Sequence, residues 1–596
     1  METPVVRFVR VSPTRRWFPA GPIDLDRRNV RPGVPCYAAA MLDIPFSVRA
    51  SGTLVVACLV LYPARAQVSG VHQPAPESAQ AAYARIRDEG LSRSKVMDYA
   101  TELIDGVGPR LTGSRNLKKA IDWAREQLTQ MGLSQVRAES WGEFGVGWEQ
   151  RNVWVRMLAP DTAVFIAQAA PWSPATAGPV TADIRSVGGL PDEQAFAGHR
   201  GTLRDRIVLL ARAPGPPDVV PLAKPLFTRF DDGELAAYAR VPVSTAAEEA
   251  PEVRERMFAQ IAHGERIGRF LAAEGVRAVI VPSGNRPNGG ISGGTLMVDG
   301  NAAFGFRAYE KAHPMQVPLV IVANEHYGRL ERLLTRNVPV RVEINVDTVF
   351  TGDREEGVNV LAEIPGVDPV RKDQVVMVGA HLDSWAAGTG ATDDGAGVLI
   401  AMEAMRILRA IAVQPRRTIR IALWTGEEQG ALGSLGYVKA HVAAVPRATT
   451  DSAMAVPEFL RRRAGPIVFK AEQARISAIF TLDAGGGRIR GVSVGTQALA
   501  AIFEPWVAPL RDLGMTMVSP KTDCGGDCRP FAEVGLPTPV FRHDPLDYDT
   551  RTHHTNMDTY EHLIPDDLRQ AAVVVATMLY NTAMREEMLP RPAQPQ

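Results

Sequence analysis

The chain has 596 residues, 45% of them hydrophobic, which is too long for a single compact core, so two or three domains are expected. Its 66 basic and 66 acidic residues give a formal net charge of zero. A neutral sequence without a basic run does not provide the positively charged surface with which proteins bind nucleic acid. Composition therefore indicates a globular protein with no charged macromolecular partner.

The N-terminal part of the sequence has the pattern of an export signal. Arg49 precedes an apolar run over residues 50–62, and the small-residue motif Ala64-Arg65-Ala66 predicts cleavage after Ala66. The run is too short to span a bilayer as a stable helix. We therefore expect a periplasmic or secreted mature protein.

The position of this signal is unusual, because Met41 lies immediately before it. We expect translation to start at Met41 and residues 1–40 to belong to an over-extended reading frame, so that residues 1–66 are not part of the mature chain. A lipoprotein signal with Cys58 as the lipidated residue is the alternative. The apolar residues that continue beyond Cys58 disfavour this alternative.

The next segments predict a linker, two helices and two strands. Residues 67–90 are polar and rich in Ala and Pro, as in a linker, and apolar residues recur at helical spacing over 95–108 and 116–133. The turn GPRLTGS, residues 108–114, separates the two helical patterns. Strand patterns follow over 134–141 and 151–158.

A β-rich module is expected over residues 169–339. Short apolar runs separated by Gly and Pro predict strands near 179–187, 206–212, 276–283 and 317–324, with a helix over 253–274. Residues 214–250 are rich in Pro and Ala and predict a long loop. We interpret this module as an insertion that interrupts a larger domain.

Strands and helices alternate beyond residue 340. The predicted strands cover 374–380, 417–424, 476–484 and 537–543, and the predicted helices cover 395–412 and 566–588. This alternation is typical of an α/β fold with a mostly parallel sheet flanked by helices. We assign residues 91–168 and 340–592 to that domain.

Carboxylates and imidazoles follow the predicted strands at their carboxyl ends, where open α/β sheets bind ligands. The residues are His381 and Asp383, Asp393 and Asp394, Glu427 and Glu428, Asp483, and His553 and His554. Imidazole and carboxylate are ligands that suit zinc. A carboxylate can also bridge two cations, and one Asp of the pair 393–394 is suited to that position.

Each of these residues also has an ordinary structural interpretation. Asp394 alone could cap the helix that begins near Gly395, and a single His is more often a core or surface residue. The ordered set at successive strand ends favours a metal centre over these interpretations. Adjacent carboxylates such as Glu427 and Glu428 repel each other unless a cation compensates.

The motifs GAHLDSW, GATDDGAG, LWTGEEQGALGS, LDAG and HHTNMDT, together with GPRLTGS, resemble the co-catalytic zinc aminopeptidase and carboxypeptidase family over roughly residues 85–592. The resemblance implies a zinc exopeptidase fold in which the insertion is a protease-associated domain. It also implies two Zn²⁺ ions per chain, a peptide substrate and a homodimer. The implied metal ligands are His381, Asp393, Glu428, Asp483 and His554.

The resemblance implies two further roles. Glu427 is the general base that takes a proton from water, and Asp383 orients His381. Two features depart from the wider family: Asp527 and Arg529 stand in GGDCRPF, and His553 precedes the last ligand. These departures concern the substrate pocket, and His553 or Tyr548 is the candidate for oxyanion stabilisation.

Two other functions fit the same scaffold. A non-catalytic binding protein is disfavoured because all the ligand positions and the base are intact. A one-zinc acyl-transfer or cyclase enzyme is disfavoured because it does not need the full ligand set. Aminopeptidase and dipeptidase activity both stay open, and so does the state of Cys524 and Cys528, which could pair in an oxidising compartment or remain free thiols.

Overall fold

The computed structural model describes residues 78–211, 227–240, 251–284, 293–300, 304–454, 456–522 and 524–592. The predicted signal peptide and the N-terminal extension lie outside these ranges. No helix in the described ranges combines the length and the apolar composition that crossing a membrane requires.

The described strands come in three groups along the chain. The first group is β1 Ser134–Ala159, β2 Ala163–Phe165, β3 Ala167–Ala169, β4 Val180–Ser186, β5 Ile207–Leu209, β6 Ala278–Pro282 and β7 Leu319–Val322. The second group is β8 Arg341–Ile364, β9 Val375–His381, β10 Thr418–Trp424, β11 Ala443–Ala444 and β12 Val468–Phe469. The third group is β13 Ile476–Thr481, β14 Ile489–Ser493, β15 Met517–Ser519 and β16 Val540–His543.

The described α-helices fall into the same order. Those before β8 are α1 Ala79–Ser92, α2 Val96–Ala100, α3 Arg115–Gln130, α4 Glu193–His199, α5 Asp232–Ala239, α6 Pro251–Ala273 and α7 Asn324–Thr335. Those after it are α8 Ala396–Ala410, α9 Leu432–Tyr437, α10 Asp451–Met454, α11 Gln497–Val507, α12 Arg529–Glu533 and α13 Pro565–Met584. Short π or 3-10 turns continue several of them, as at Thr101–Val107 and Ala391–Gly395.

Fourteen of the described strands form one sheet in the order β15-β14-β16-β13-β9-β10-β8-β4-β5-β6-β7-β3, with β1 and β2 attached through β8. The neighbours β16, β13, β9 and β10 are parallel to one another. Their carboxyl ends therefore lie along the same edge of the sheet. The predicted α/β fold with a mostly parallel sheet flanked by helices is confirmed.

Helices cover both faces of the central strands, so these strands are apolar throughout. Every residue of β9 is buried, as expected for a parallel strand packed on both sides. Helix α8 packs with α1 and α13 in the main core, where Leu399 and Val574 are fully buried. Shortening Leu399 to Ala is expected to cost about 2–5 kcal/mol of stability through the cavity it leaves.

Three parts of the chain differ from the sequence predictions. Residues 79–92, placed largely in the linker 67–90, form helix α1, whose Ile86 is fully buried in the main core. The two strands expected near 134–158 are one bulged strand, β1, paired along its length with β8. The segment 214–250 is not wholly a loop, because it contains helix α5, which begins with a capping box at Asp231 and Glu234.

The strands between residues 169 and 339 extend the sheet beyond β8. Strand β4 pairs with β8 through Val180 and Ile344, and β5, β6 and β7 follow in parallel. These strands have their own core, in which Val279 and Val320 are fully buried. The inserted domain over 169–339 and its protease-associated type remain predictions.

Candidate metal centre

Four neighbouring strand ends bring the predicted ligands together at one edge of the sheet. His381 is the last residue of β9, and Glu428 follows the end of β10 by four residues. Asp483 follows β13, and His554 lies in the loop after β16. Because these strands are parallel, side chains far apart in sequence meet at their carboxyl ends.

Asp393 stands at the middle of this group. Its Oδ1 lies 3.3 Å from Nε2 of His381, and its Oδ2 lies 3.3 Å from Nε2 of His554. The carboxylate is buried, with 4% of the residue exposed. One carboxylate thus presents its two oxygens to two different imidazoles.

Each side of Asp393 is completed by another carboxylate. Oδ1 of Asp483 lies 3.8 Å from Nε2 of His381, and Oε2 of Glu428 lies 3.1 Å from Nε2 of His554. Potential ligand atoms of His381, Asp393 and Asp483 all lie within 4.8 Å of one another. The same holds for Asp393, His553 and His554, so His553 could also bind a metal ion, although it is not one of the five ligands that the resemblance implies.

The neighbouring Asp394 has a different environment. Its Oδ1 accepts a 3.1 Å hydrogen bond from Gly397 N in the first turn of α8, and its Oδ2 accepts one of 3.1 Å from His381 N. Asp394 therefore bonds to the start of the helix and to the end of the strand, as the capping interpretation predicts. Asp393, and not Asp394, faces the imidazoles of the site. The peptide bond that joins the two residues is cis.

Asp383 is fully buried, and its carboxylate bonds mainly to backbone N–H groups. Its carboxylate accepts a 2.8 Å hydrogen bond from Thr112 Oγ1 and bonds of 3.3 Å from the N–H groups of Glu427 and Glu428. The atom nearest to Nδ1 of His381 is the backbone oxygen of Asp383, at 3.0 Å, whereas its carboxylate is at 3.7 Å. The carbonyl of Asp383 is thus closer to His381 than its carboxylate is, and the orienting role of Asp383 remains a prediction.

The turn GPRLTGS supplies a second support, Arg110, that sequence reasoning did not single out. The guanidinium is completely buried and donates to the carbonyl oxygens of Leu382 at 2.7 Å and Gly390 at 2.8 Å. Burial lowers the pKa of Arg110 to about 10, so the group remains charged at neutral pH. One cation therefore ties together the loops that carry His381 and Asp393.

Asp558, in the motif HHTNMDT, accepts hydrogen bonds from the backbone that carries Asp393. Its Oδ1 accepts hydrogen bonds from Thr392 N at 2.6 Å and Thr392 Oγ1 at 2.7 Å, and its Oδ2 accepts one from Asp393 N at 3.1 Å. The motif was recognised at the sequence level for its histidines only. Its aspartate fixes the backbone on which the central carboxylate stands.

Several acidic side chains of the site are buried close together, and their pKa values are raised. Burial, reinforced by the neighbouring Asp393, raises the pKa of Glu428 to about 7. Burial also raises the pKa of Glu427 well above its usual range and that of Asp527 to about 7. Carboxylates crowded in this way are stable in their ionised form only beside a compensating cation.

The donor atoms fit divalent zinc. Among the described residues, two buried carboxylate oxygens at the centre accept no hydrogen bond: Oδ2 of Asp393 and Oε1 of Glu428. Buried polar atoms of proteins are normally paired, so unpaired oxygens facing imidazole nitrogens indicate a place for a cation. Mixed imidazole and carboxylate ligands are those that zinc takes in catalytic sites.

Similarity to known proteins agrees with this geometry. Residues 359–579 match the profile described as Peptidase family M28. Carboxypeptidase Q of Bos taurus and that of Homo sapiens are each 26% identical over 506 residues, covering 84% of this chain and 88% of the relative. Residues 359–579 of this chain are therefore similar to peptidase family M28. The chain is a zinc metallopeptidase, and the enzyme class implied by the motifs is confirmed.

A solved structure supports the fold of this chain. The peptidase M28 precursor from Shewanella amazonensis SB2B is 24% identical and superposes with a TM-score of 0.59, covering 87% of this chain and 99% of that chain. The matches to carboxypeptidase Q confirm the resemblance to the zinc aminopeptidase and carboxypeptidase family.

The candidate metal centre opens into a cavity of about 370 Å³, within the range of small-ligand pockets. Its walls combine aromatic and apolar side chains with the metal-centre carboxylates and Arg529. The aromatic and apolar members are Trp172, Met257, Phe306, Tyr309, Trp385, Phe459 and Leu460. Several of these residues come from the region 169–339.

The loop that precedes Arg529 packs directly against Glu427. Cys524 and Cys528 form a disulfide bond within it, so the pairing left open by the sequence is present. A Cβ atom on Gly526 would lie 2.7 Å from Oε1 of Glu427, and Gly526 has a φ of +52°. Only glycine meets both conditions without strain.

Both predicted oxyanion candidates lie near the predicted metal ligands. Tyr548 donates from its hydroxyl to Oδ1 of Asp483 at 3.4 Å, and burial raises the pKa of Tyr548 well above its usual range. The Nε2 of His553 lies 3.7 Å from Oδ2 of Asp393. Tyr548 is therefore a protonated donor, whereas His553 faces the central carboxylate.

Proposed function

We propose that this chain is a dinuclear zinc exopeptidase that hydrolyses dipeptides or the terminal bond of short peptides. One observation carries the proposal. Asp393 turns one oxygen toward His381 and the other toward His554, each at 3.3 Å. This is the arrangement of a carboxylate that bridges two metal ions.

The proposed ligand sets follow from these distances. His381 and Asp483 hold one ion, His554 and Glu428 hold the other, and Asp393 is shared. When bound, two zinc ions polarise the scissile carbonyl and lower the pKa of water at the site. Each imidazole offers Nε2 to its ion.

Glu427 is the proposed general base. Its carboxylate lines the same cavity as Asp393 and Glu428, and it is not needed as a metal ligand. It takes a proton from the attacking water onto one of its oxygens and delivers that proton to the leaving amine nitrogen. Burial raises the pKa of Glu427, which favours the protonated form needed for this second step.

The cavity supports a short substrate. About 370 Å³ is available beside the metal centre, enough for a small ligand rather than a folded chain. Trp172, Phe306 and Tyr309 offer an apolar wall for one side chain, and Arg529 offers a cation for a carboxylate. This pairing favours a dipeptide, whose free carboxylate lies close to the bond that is cleaved.

Export of the protein is the proposed setting. The signal peptide over 41–66 remains a prediction, because it lies outside the described residues. The bond between Cys524 and Cys528 supports a periplasmic or secreted location, since disulfides persist in oxidising compartments. Homodimer formation also remains a prediction that rests on the resemblance alone.

Zinc content and hydrolysis, measured on the same preparation, test this proposal. We expect two zinc ions per chain by elemental analysis, together with cleavage of dipeptides that a chelator abolishes and added zinc restores. A single zinc ion with retained dipeptide cleavage contradicts the dinuclear site, whereas a single zinc ion without dipeptide cleavage favours a one-zinc acyl-transfer or cyclase enzyme. A folded chain that neither takes up zinc nor cleaves dipeptides favours a non-catalytic binding protein.

A further inference from the structure

The loop that carries His554 is paired with a segment from the region 169–339. Val298 N donates a 2.8 Å hydrogen bond to the carbonyl of His554, and Asn556 N donates one of 3.0 Å to the carbonyl of Leu296. The side chain of Asn556 accepts from Leu296 N at 2.7 Å. Met297 and Thr555 thus form an antiparallel bridge between the two segments.

This pairing holds His554 in an uncommon backbone conformation. His554 has a φ of +60°, in the left-handed region that is unfavourable for residues other than glycine. Such conformations persist where the surrounding structure fixes them. The bond from Val298 to the carbonyl of His554 is one of the contacts that do so.

Once fixed, the imidazole of His554 has a carboxylate on each side. Its Nε2 lies 3.1 Å from Oε2 of Glu428, and its Nδ1 lies 3.7 Å from Oδ2 of Asp299. Asp299 is buried, with 8% of the residue exposed, and it follows the paired residue Val298 directly. The segment that holds the backbone therefore also supplies the group beside the second ring nitrogen.

The other ligand imidazole is supported in a different way. Nδ1 of His381 lies 3.0 Å from the carbonyl oxygen of Asp383, two residues away on the same strand end. Metal-binding histidines generally donate their second N–H to such an oxygen, which fixes the tautomer and directs the other nitrogen at the metal. For His554 the carboxylate beside Nδ1 is that of Asp299, at the longer distance of 3.7 Å, and it comes from a segment more than 250 residues earlier.

We infer that Asp299 is a positioning residue for the metal ligand His554, and that the segment 294–299 makes one of the two metal positions dependent on the inserted region. The inference rests on the proposed dinuclear zinc site. Asp299 keeps the proton of His554 on Nδ1, so that the lone pair of Nε2 faces the ion shared with Glu428. The ion held by His381 and Asp483 does not depend on this segment.

The test compares Asp299→Asn and Asp299→Ala with Asp353→Asn, a control that removes the same charge from an exposed ion pair with Lys311. Zinc affinity is measured by competition with a chromophoric chelator. We expect one of the two zinc ions to bind about 10- to 100-fold more weakly in the alanine variant. The zinc affinity of the asparagine variant, which retains an acceptor oxygen, should lie between that of the alanine variant and that of the wild type.

Two further readouts separate positioning from general stability. Cobalt substituted for zinc should show an altered visible spectrum for one ion only, and kcat should fall more than KM rises. Asn556→Ala removes the side-chain hydrogen bond to Leu296 and leaves Asp299 in place. This variant should bind the same zinc ion more weakly than the wild type does. Thermal unfolding of each variant shows that the chain is folded.

The inference is overturned if Asp299→Ala binds both ions as tightly as the wild type with an unchanged cobalt spectrum. In that case the wild type still carries two zinc ions and the proposed function stands. A wild-type protein that takes up fewer than two zinc ions overturns the dinuclear proposal itself, and the inference with it.

Discussion

Thr112 donates a 2.8 Å hydrogen bond to the buried carboxylate of Asp383, a residue 271 positions further along the chain. The same carboxylate accepts from the backbone N–H groups of Glu427 and Glu428. The strand end of β10 and the turn after α2 are thereby joined through one acidic side chain. The position of the proposed base consequently depends on a hydroxyl group in a distant turn.

Replacing Thr112 with Val should destabilise the protein without changing the shape of the side chain. A hydrogen bond to a buried charged group contributes about 1.5–3 kcal/mol, so we expect a loss of this size in urea unfolding. The control is Thr129→Val, on the surface of α3, whose hydroxyl bonds only to the carbonyl of Arg125. Equal losses in both variants would contradict a special role for the Thr112–Asp383 contact.

Replacing Glu427 with Gln should separate proton transfer from metal binding. The amide cannot accept a proton, so we expect kcat to fall by about 100- to 10,000-fold while the zinc content stays at the wild-type value. Steady-state kinetics and elemental analysis of the same sample make the comparison. Turnover near the wild-type level in this variant would show that another group is the base.

The adjacent aspartates provide a matched pair of variants. Asp393→Asn removes the charge shared by His381 and His554, so both metal ions should be lost together. Asp394→Asn removes a charge that bonds only to backbone N–H groups, so the zinc content should be retained while the melting temperature falls. Zinc analysis and thermal unfolding test the pair, and equal zinc loss in both variants would contradict the assignment of the bridge to Asp393.

His543, at the end of β16, should make the protein sensitive to acid. Burial lowers the pKa of His543 to about 4, below the ordinary value of about 6.5. As the pH falls below about 6.5 the unfolded chain gains this proton before the folded chain does, so stability falls between about pH 6.5 and 4. The loss attributable to this group is about 3 kcal/mol.

An asparagine at position 543 should remove that part of the acid sensitivity. Its amide can replace the ring nitrogen that lies 2.8 Å from the carbonyl of Gly487, and it does not titrate. Urea unfolding at pH 7 and pH 4.5 compares this variant with the wild type and with His199→Asn, a half-exposed control. If the wild type and the His543 variant lose equal stability on acidification, another group controls the effect.

The sequence predicted which side chains meet at this edge of the sheet, because its signals are local. His381, Glu428 and Asp483 each come within a few residues of a strongly apolar run, and parallel strands place such positions on one edge. The order of the motifs then carried the family resemblance. Neither step required knowledge of how distant segments pack.

Contacts that depend on tertiary packing could not be predicted in this way. Helix α1 has an Ala-rich sequence that is also typical of a linker, and it is stabilised by burial of Ile86 in the main core. Asp299 follows no strand pattern and belongs to no motif, so only the fold places it beside His554. Arg110 lay inside a recognised motif, but its four carbonyl partners come from three separate stretches of chain.

The long strand β8 bonds to β10 near Leu361 and to β4 near Ile344, so both halves of the sheet use the same piece of backbone. A hinge rotation of the inserted region would have to break or shear main-chain hydrogen bonds, each contributing about 1 kcal/mol. Excision of residues 169–339 would remove β4 and expose the edge of β8, which could then pair with a strand of another chain. The region 169–339 is thus joined to the central sheet through main-chain hydrogen bonds, and we expect substrate access to depend on loops and side chains rather than on rotation of this region.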